Sequence, residues 1–161
     1  MLLLALRCGA EQLNVLAADT RGLTIEFLQE SAPPDERFVD GEIYHQLTTE
    51  LPLPVAVGVP ALPFVAELIA VPAGATVSLE VLEAHYVDYE QIDLLPVQSE
   101  NLEAEESEVF WRNPQAYRRN SFEPADLATL GFMGIQRGVH VHRLQLYPWA
   151  YNPVRQILRV F

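Results

Sequence analysis

The chain has no lysine, a single cysteine and only ten cationic side chains in 161 residues. With Cys8 alone no internal disulfide can form, so a disulfide-stapled scaffold is excluded while the compartment stays open. Every basic residue is an arginine, so any cationic anchor must be a planar, permanently charged guanidinium. The formal net charge of -12 repels phosphate backbones and anionic lipid surfaces, which argues against nucleic acid and against membrane as partners. A long hydrophobic run is also missing. The apolar start, Met1 to Leu6, stops at Arg7 and Cys8, too short for a span. It lacks the basic start and full apolar core of an export signal, so residues 1–12 read as a tail or a signal remnant. There is no Gly-x-Ser-x-Gly elbow, phosphate loop or dinucleotide fingerprint. The expectation is a domain without a catalytic site and without a cofactor.

What is present is apolar material in short pieces. Half of the residues are hydrophobic, enough for the core of one domain, expected over residues 13–161. Twelve prolines spread along the chain oppose long helices. Alternation with a period of two marks strands: Leu23, Ile25 and Phe27; then Val77, Leu79 and Val81; then Val139 and Val141. The last two runs change phase, which predicts bulges near Val81-Leu82 and near Arg143. Further strands are expected over Leu13 to Ala18, Ile43 to Leu47, Phe64 to Val71 and Gln156 to Phe161, separated by turns such as Asp40-Gly41 and Pro72-Ala73-Gly74. Ser121 and Pro124 suggest one short helical stretch over Glu123 to Leu130. The fold class is therefore all-β, an antiparallel β-sandwich of jelly-roll type. Its core is expected to include those alternating residues together with Leu144 and Leu146.

Few residues point to chemistry. His140 and His142 share a strand face and can supply two metal ligands, but no spacing nominates His45, His85, Cys8 or a carboxylate as the third, so no metal site is expected. Ser99 to Glu108 holds five glutamates and reads as a solvated acidic stretch. Phe110 to Asn120 stands out more. It gathers Phe110, Trp111 and Tyr117 with Arg112, Arg118 and Arg119 around Pro114, a mixture enriched at binding hot spots.

Three clusters resemble the gingipain-type propeptide family. They are Gly58-Val59-Pro60-Ala61-Leu62-Pro63 followed by Val71-Pro72-Ala73-Gly74-Ala75; Arg137-Gly138 before the strand from Val139; and Tyr147-Pro148 followed by Tyr151-Asn152-Pro153. Ala18 to Leu23 also resembles the family's opening strand pair. These residues shape backbone and report a fold, not a chemistry. The resemblance implies a β-sandwich pro-segment of a secreted cysteine peptidase. Such a segment aids folding of the downstream catalytic domain of the same precursor and blocks its cleft, and the catalytic residues lie in that domain. Arg112, Arg118, Arg119, Tyr117 and Phe110 are the candidates for an inhibitory loop, an arginine suiting a pocket with a buried carboxylate. The alternative is a non-catalytic β-sandwich module binding carbohydrate or a cell-surface ligand through Trp111, Tyr117, Trp149 and Tyr151.

Overall fold

A computed structural model describes residues 12–19, 22–29, 32–99 and 110–161. Two compact units divide the chain, one up to Ala32 and one from Pro33 to Phe161. In the first, β1 (Gln12–Ala18) pairs antiparallel with β2 (Leu23–Leu28), with a register shift between Val15 and Ala17.

In the second unit the strands are β3 (Asp35–Val39), β4 (Glu42–Gln46), β5 (Val65–Val71), β6 (Val87–Tyr89), β7 (Ala128–Gln136), β8 (Val139–Leu146), β9 (Trp149–Asn152) and β10 (Ile157–Val160). They form the hairpin β3-β4 and the three-stranded sheets β6-β10-β9 and β5-β8-β7. The chain is thus all-β with antiparallel ladders, as the alternation and turn spacing require. Turn chemistry sets the register. Asp40 and Gly41, at φ 50° and 88°, connect β3 to β4, and Arg137 and Gly138, at φ 50° and 80°, connect β7 to β8. Two consecutive left-handed residues match the twist of the flanking strands.

The expected helix over Glu123 to Leu130 is absent. Glu123 N–H and C=O both bond to Tyr151, which commits that backbone to a bridge, and β7 begins at Ala128. The only helical turn among the described residues is the 3₁₀ stretch Ala116–Arg118. β8 runs straight through Arg143, and the irregularity lies on the facing strand, between Phe132 and Gly134. No strand ladder joins Val77 to Val81 to any described residue, and Leu79 and Val81 are exposed.

The core sits elsewhere than the alternation suggests. Leu62, Ile92, Leu94, Tyr117, Trp149, Tyr151, Leu158 and Val160 form one buried cluster, with Leu47, Leu51, Tyr89 and Ala116 against it. Of the expected core residues only Leu144 is fully buried, and Leu23 and Val139 are exposed. All four residues of β9 are buried, so this strand is covered on both faces and shows no alternation.

Candidate interaction site

The segment 110–120 is built against the core by a polar and aromatic node. Asp93 projects from the stretch Ile92 to Leu95, which is tied to β4 by His45 N–H to Asp93 O (2.7 Å) and Leu95 N–H to His45 O (2.8 Å). The Asp93 N–H donates in turn to His45 Nδ1 at 3.1 Å. Arg112 grips the Asp93 carboxylate with both terminal nitrogens, Nη2 to Oδ1 at 2.7 Å and Nη1 to Oδ2 at 3.0 Å. Its guanidinium lies 3.9 Å from the centre of the Tyr117 ring and 5.8 Å from that of Tyr44. Phe110 packs on Tyr44 with ring centres 5.1 Å apart.

The node's hydroxyls are satisfied inside the protein. Tyr117 Oη donates to Leu94 O at 2.6 Å, and Tyr151 Oη donates to Ile92 O at 2.7 Å while receiving the Leu94 N–H at 3.4 Å. Burial disfavours both phenolates. It pushes Tyr117 far up, and it pushes Tyr151 up to about 12. Burial opposes the charge of Arg112, but the Asp93 carboxylate more than offsets it and the guanidinium is held charged.

Two further contacts fix where this segment starts. Gln98 Nε2 donates to Trp111 O and Trp111 N–H donates to Gln98 Oε1, both at 2.9 Å, so one carboxamide completes a bridge as a paired strand residue would. The Trp111 indole lies on Gly58, at φ 82°. An added Cβ there would stand 2.5 Å from Trp111 Cδ1 and 2.9 Å from Asn113 N. The backbone of Gly58 also accepts the Asn113 N–H at 2.9 Å and donates to Val97 O at 2.7 Å. Only glycine fits this approach at a positive φ. The first motif of the family resemblance is thereby explained: Gly58 seats the aromatic–arginine segment.

Beyond the node, a groove of about 460 Å³ runs beside the 3₁₀ turn. Prolines and aromatics such as Pro60, Phe64 and Tyr147 line it, with Arg119 and Glu123 among the polar lining. Those two charges pair at 3.6 Å.

The five candidate residues are therefore placed very differently. Phe110, Arg112 and Tyr117 face inward and hold the segment; Arg118 and Arg119 are exposed. The aromatic platform envisaged for a carbohydrate ligand does not exist, because Tyr117, Trp149 and Tyr151 are interior and of the four only Trp111 is exposed. His140 and His142 do share a face, but both pack edge-on against Phe132, at 5.7 and 5.4 Å. No group of three His, Cys, Asp or Glu gathers among the described residues. Cys8 and nearly all of the acidic stretch, residues 100–108, lie outside the described residues. Asp93 and Gln98 were not singled out from sequence. Asp93 had a signal: a lone carboxylate inside the apolar run Ile92 to Leu95, a position that demands a cationic partner.

Comparison with known proteins decides the family. The model of the Propeptide_C25 family matches residues 50–161, most of the second unit. The chain belongs to this propeptide family. As a Propeptide_C25 domain it is the non-catalytic kind of module, and the groove lies within the matched residues. Among curated relatives from Porphyromonas gingivalis, Lys-gingipain is 34% identical over 111 residues and gingipain R2 is 27% identical over 105 residues, each match taking in 65% of this chain. The matched part spans only 6% and 14% of those two proteins. Among solved structures, the complex of the pro- and mature domains of RgpB from the same organism shares the fold. Its TM-score is 0.80 at 23% identity, over 96% of this chain and 79% of that one. The gingipain K structure that addresses zymogenic latency matches with a TM-score of 0.61 at 26% identity, over 79% of this chain and 74% of that one.

Proposed function

We propose that this domain is the pro-segment of an exported gingipain-type cysteine peptidase, assisting the folding of a downstream catalytic domain and keeping it latent by occupying its cleft. The observation that carries this reading is the Propeptide_C25 match across the node-bearing unit. Its likeness to the gingipain K structure, whose subject is zymogenic latency, supports it. Residues 13–161 are taken as the pro-segment proper, with residues 1–12 as a tail or signal remnant.

Within this reading the contact segment is 110–120. Phe110, Arg112 and Tyr117 act as its internal props, and Arg118 and Arg119 are the side chains it presents. Both are exposed, and Arg118 has no ion pair among the described residues. An arginine suits a specificity pocket with a carboxylate at its base, where a bidentate pair forms. The test is inhibition of the separately produced catalytic domain by this chain and by Arg118→Ala, Arg119→Ala, Arg112→Ala and Tyr117→Ala variants. Loss of the presented arginine raises the inhibition constant about thirtyfold, from ~2 kcal/mol for a buried anchor. If the parent inhibits well and the two exposed-arginine variants match it, the segment is not the plug.

A further inference from the structure

β5 is the end strand of the β5-β8-β7 sheet, bonded to β8 on one side and to no described residue on the other. It leads directly into a two-residue turn. Ala75 N–H donates to Pro72 O at 3.2 Å, and Gly74 sits between them at φ 81°. The chain is thereby sent back beside the strand it has just left. Yet residues 76–86 make no backbone hydrogen bond with any described residue.

The turn fixes what a closed hairpin would pair. Bonding at Pro72 and Ala75 sets Ala70 opposite Val77, Leu68 opposite Leu79 and Ala66 opposite Val81. Strand residues alternate, so the backbone groups of Ala70, Leu68 and Ala66 point the same way as the Pro72 carbonyl, toward the returning chain. All three residues are exposed, Leu68 at 69%, and Leu79 and Val81 are 41% and 48% accessible. Cross-strand partners share a face, so closure gathers these six apolar side chains into one stripe. It would give the alternation of Val77, Leu79 and Val81 the ladder that it lacks.

Two features oppose closure. The turns Asp40-Gly41 and Arg137-Gly138, which do close hairpins, each hold two consecutive left-handed residues, whereas here Gly74 is left-handed and Ala73 is not. That is the type II pattern, whose twist splays the strands it joins. The same register also sets Glu80 opposite Glu67, and like charges directly opposite destabilise a ladder. On its β8 side Glu67 faces Leu144, with His142 diagonal to it, and no arginine pairs with it among the described residues.

We propose that residues 76–81 are a strap, a fourth strand of the β5-β8-β7 sheet poised to close on the free edge of β5. The twist of the Ala73-Gly74 turn and the Glu67–Glu80 apposition hold it open. This segment is the occupant of that edge because the turn tethers it there in register, at an effective concentration that a second copy does not reach. The closed form is a minor state of the parent chain, and small changes at the turn or at the carboxylates shift its population.

The test is amide exchange, followed residue by residue by NMR on the full chain, for the parent, Glu80→Gln, Ala73→Asn and the double variant. Closure protects the amides of Val77, Leu79 and Val81 and leaves those of Ser78 and Glu80 exchanging freely. Glu80→Gln is expected to raise that alternating protection roughly 2- to 5-fold. High salt should do the same to the parent and nothing further to Glu80→Gln. Ala73→Asn supplies the Asn-Gly pair that favours the closing turn, and the double variant should be the most protected. The β8 amides stay at parent rates throughout, because Ala73 and Glu80 are exposed. Oxidative cross-linking in a Cys8→Ser background checks the register: Leu68→Cys with Leu79→Cys should link within one chain, faster than Leu68→Cys with Val81→Cys. Free exchange at Val77, Leu79 and Val81 in the double variant overturns the strap. Parent protection equal to that of β8 overturns it as well, since nothing is then held open. Protection that grows with protein concentration, or a cross-link formed between chains, also overturns it and gives the edge to a second copy.

Discussion

Replacing Gly58 by alanine tests the seating of the aromatic–arginine segment most directly. Two costs arise. The residue sits at φ 82°, where a side chain is strained by about 1–3 kcal/mol. The added methyl also meets Trp111 Cδ1 at 2.5 Å, Trp111 Nε1 at 2.6 Å and Asn113 N at 2.9 Å. The indole is half exposed and can swing away. The Asn113 amide cannot do so without breaking its 2.9 Å bond to Gly58 O, a further loss of about 1 kcal/mol. The expected destabilisation is roughly 2–4 kcal/mol, the sum of strain and lost bond. At about 2–4 °C per kcal/mol for a domain of this size, the thermal midpoint falls by roughly 4–16 °C. The assay is thermal or urea unfolding of parent, Gly58→Ala, Trp111→Ala and the double variant. The double variant should recover only the indole part, since Trp111→Ala relieves neither φ nor Asn113. A Gly58→Ala protein that unfolds with the parent refutes the reasoning.

Asp93→Asn and Arg112→Ala each leave half of a partly buried bidentate pair behind, and each should cost about 1–3 kcal/mol, with strong coupling in a double-mutant cycle by urea unfolding. Tyr151→Phe removes the hydroxyl serving Ile92 O and Leu94 N, and should cost about 1–3 kcal/mol in the same assay. The phenols also set an alkaline limit. Tyr151 is raised from 10.0 to about 12 and Tyr117 is raised further. The folded state therefore keeps protons that the unfolded chain releases, so stability is complete below pH 10 and falls as pH rises from about 10 through 12. Absorbance titration should show these two phenols ionising only as the protein unfolds, and Tyr151→Phe should flatten the alkaline loss. Asp88 behaves oppositely. Its bond from Arg159 lowers the carboxyl, so that contribution is present above the ordinary carboxylate range and is lost on acidification, a dependence that Asp88→Asn should remove from an acid unfolding series.

Period-two alternation located β2 and β8, where apolar residues recur at every second position, but it also marked Val77 to Val81, which joins no ladder among the described residues. It did not find β9, whose residues Trp149 to Asn152 are buried on both faces and so carry no period. It also missed β7, where Gly131 and Gly134 interrupt the apolar pattern and a bulge shifts it. The core was misplaced for a related reason. Half-buried sheets advertise themselves by alternation, whereas the deepest cluster draws Leu62, Ile92, Leu94 and Tyr117 from segments outside any strand. The candidate site was legible as composition only. The mixture of arginine and aromatics at 110–120 is visible, but its division into internal props and presented cations depends on Asp93, seventeen residues or more away in sequence and set inside the apolar run Ile92 to Leu95.

The bridge made by the Gln98 carboxamide has a consequence for how such a domain tolerates change. One carboxamide holds both the amide and the carbonyl of Trp111, so the place where segment 110–120 begins depends on a single side chain and not on a ladder. Exchanging Gln98 for a residue without a carboxamide releases both backbone groups together, while the Arg112–Asp93 grip and the Gly58 seat stay as they are.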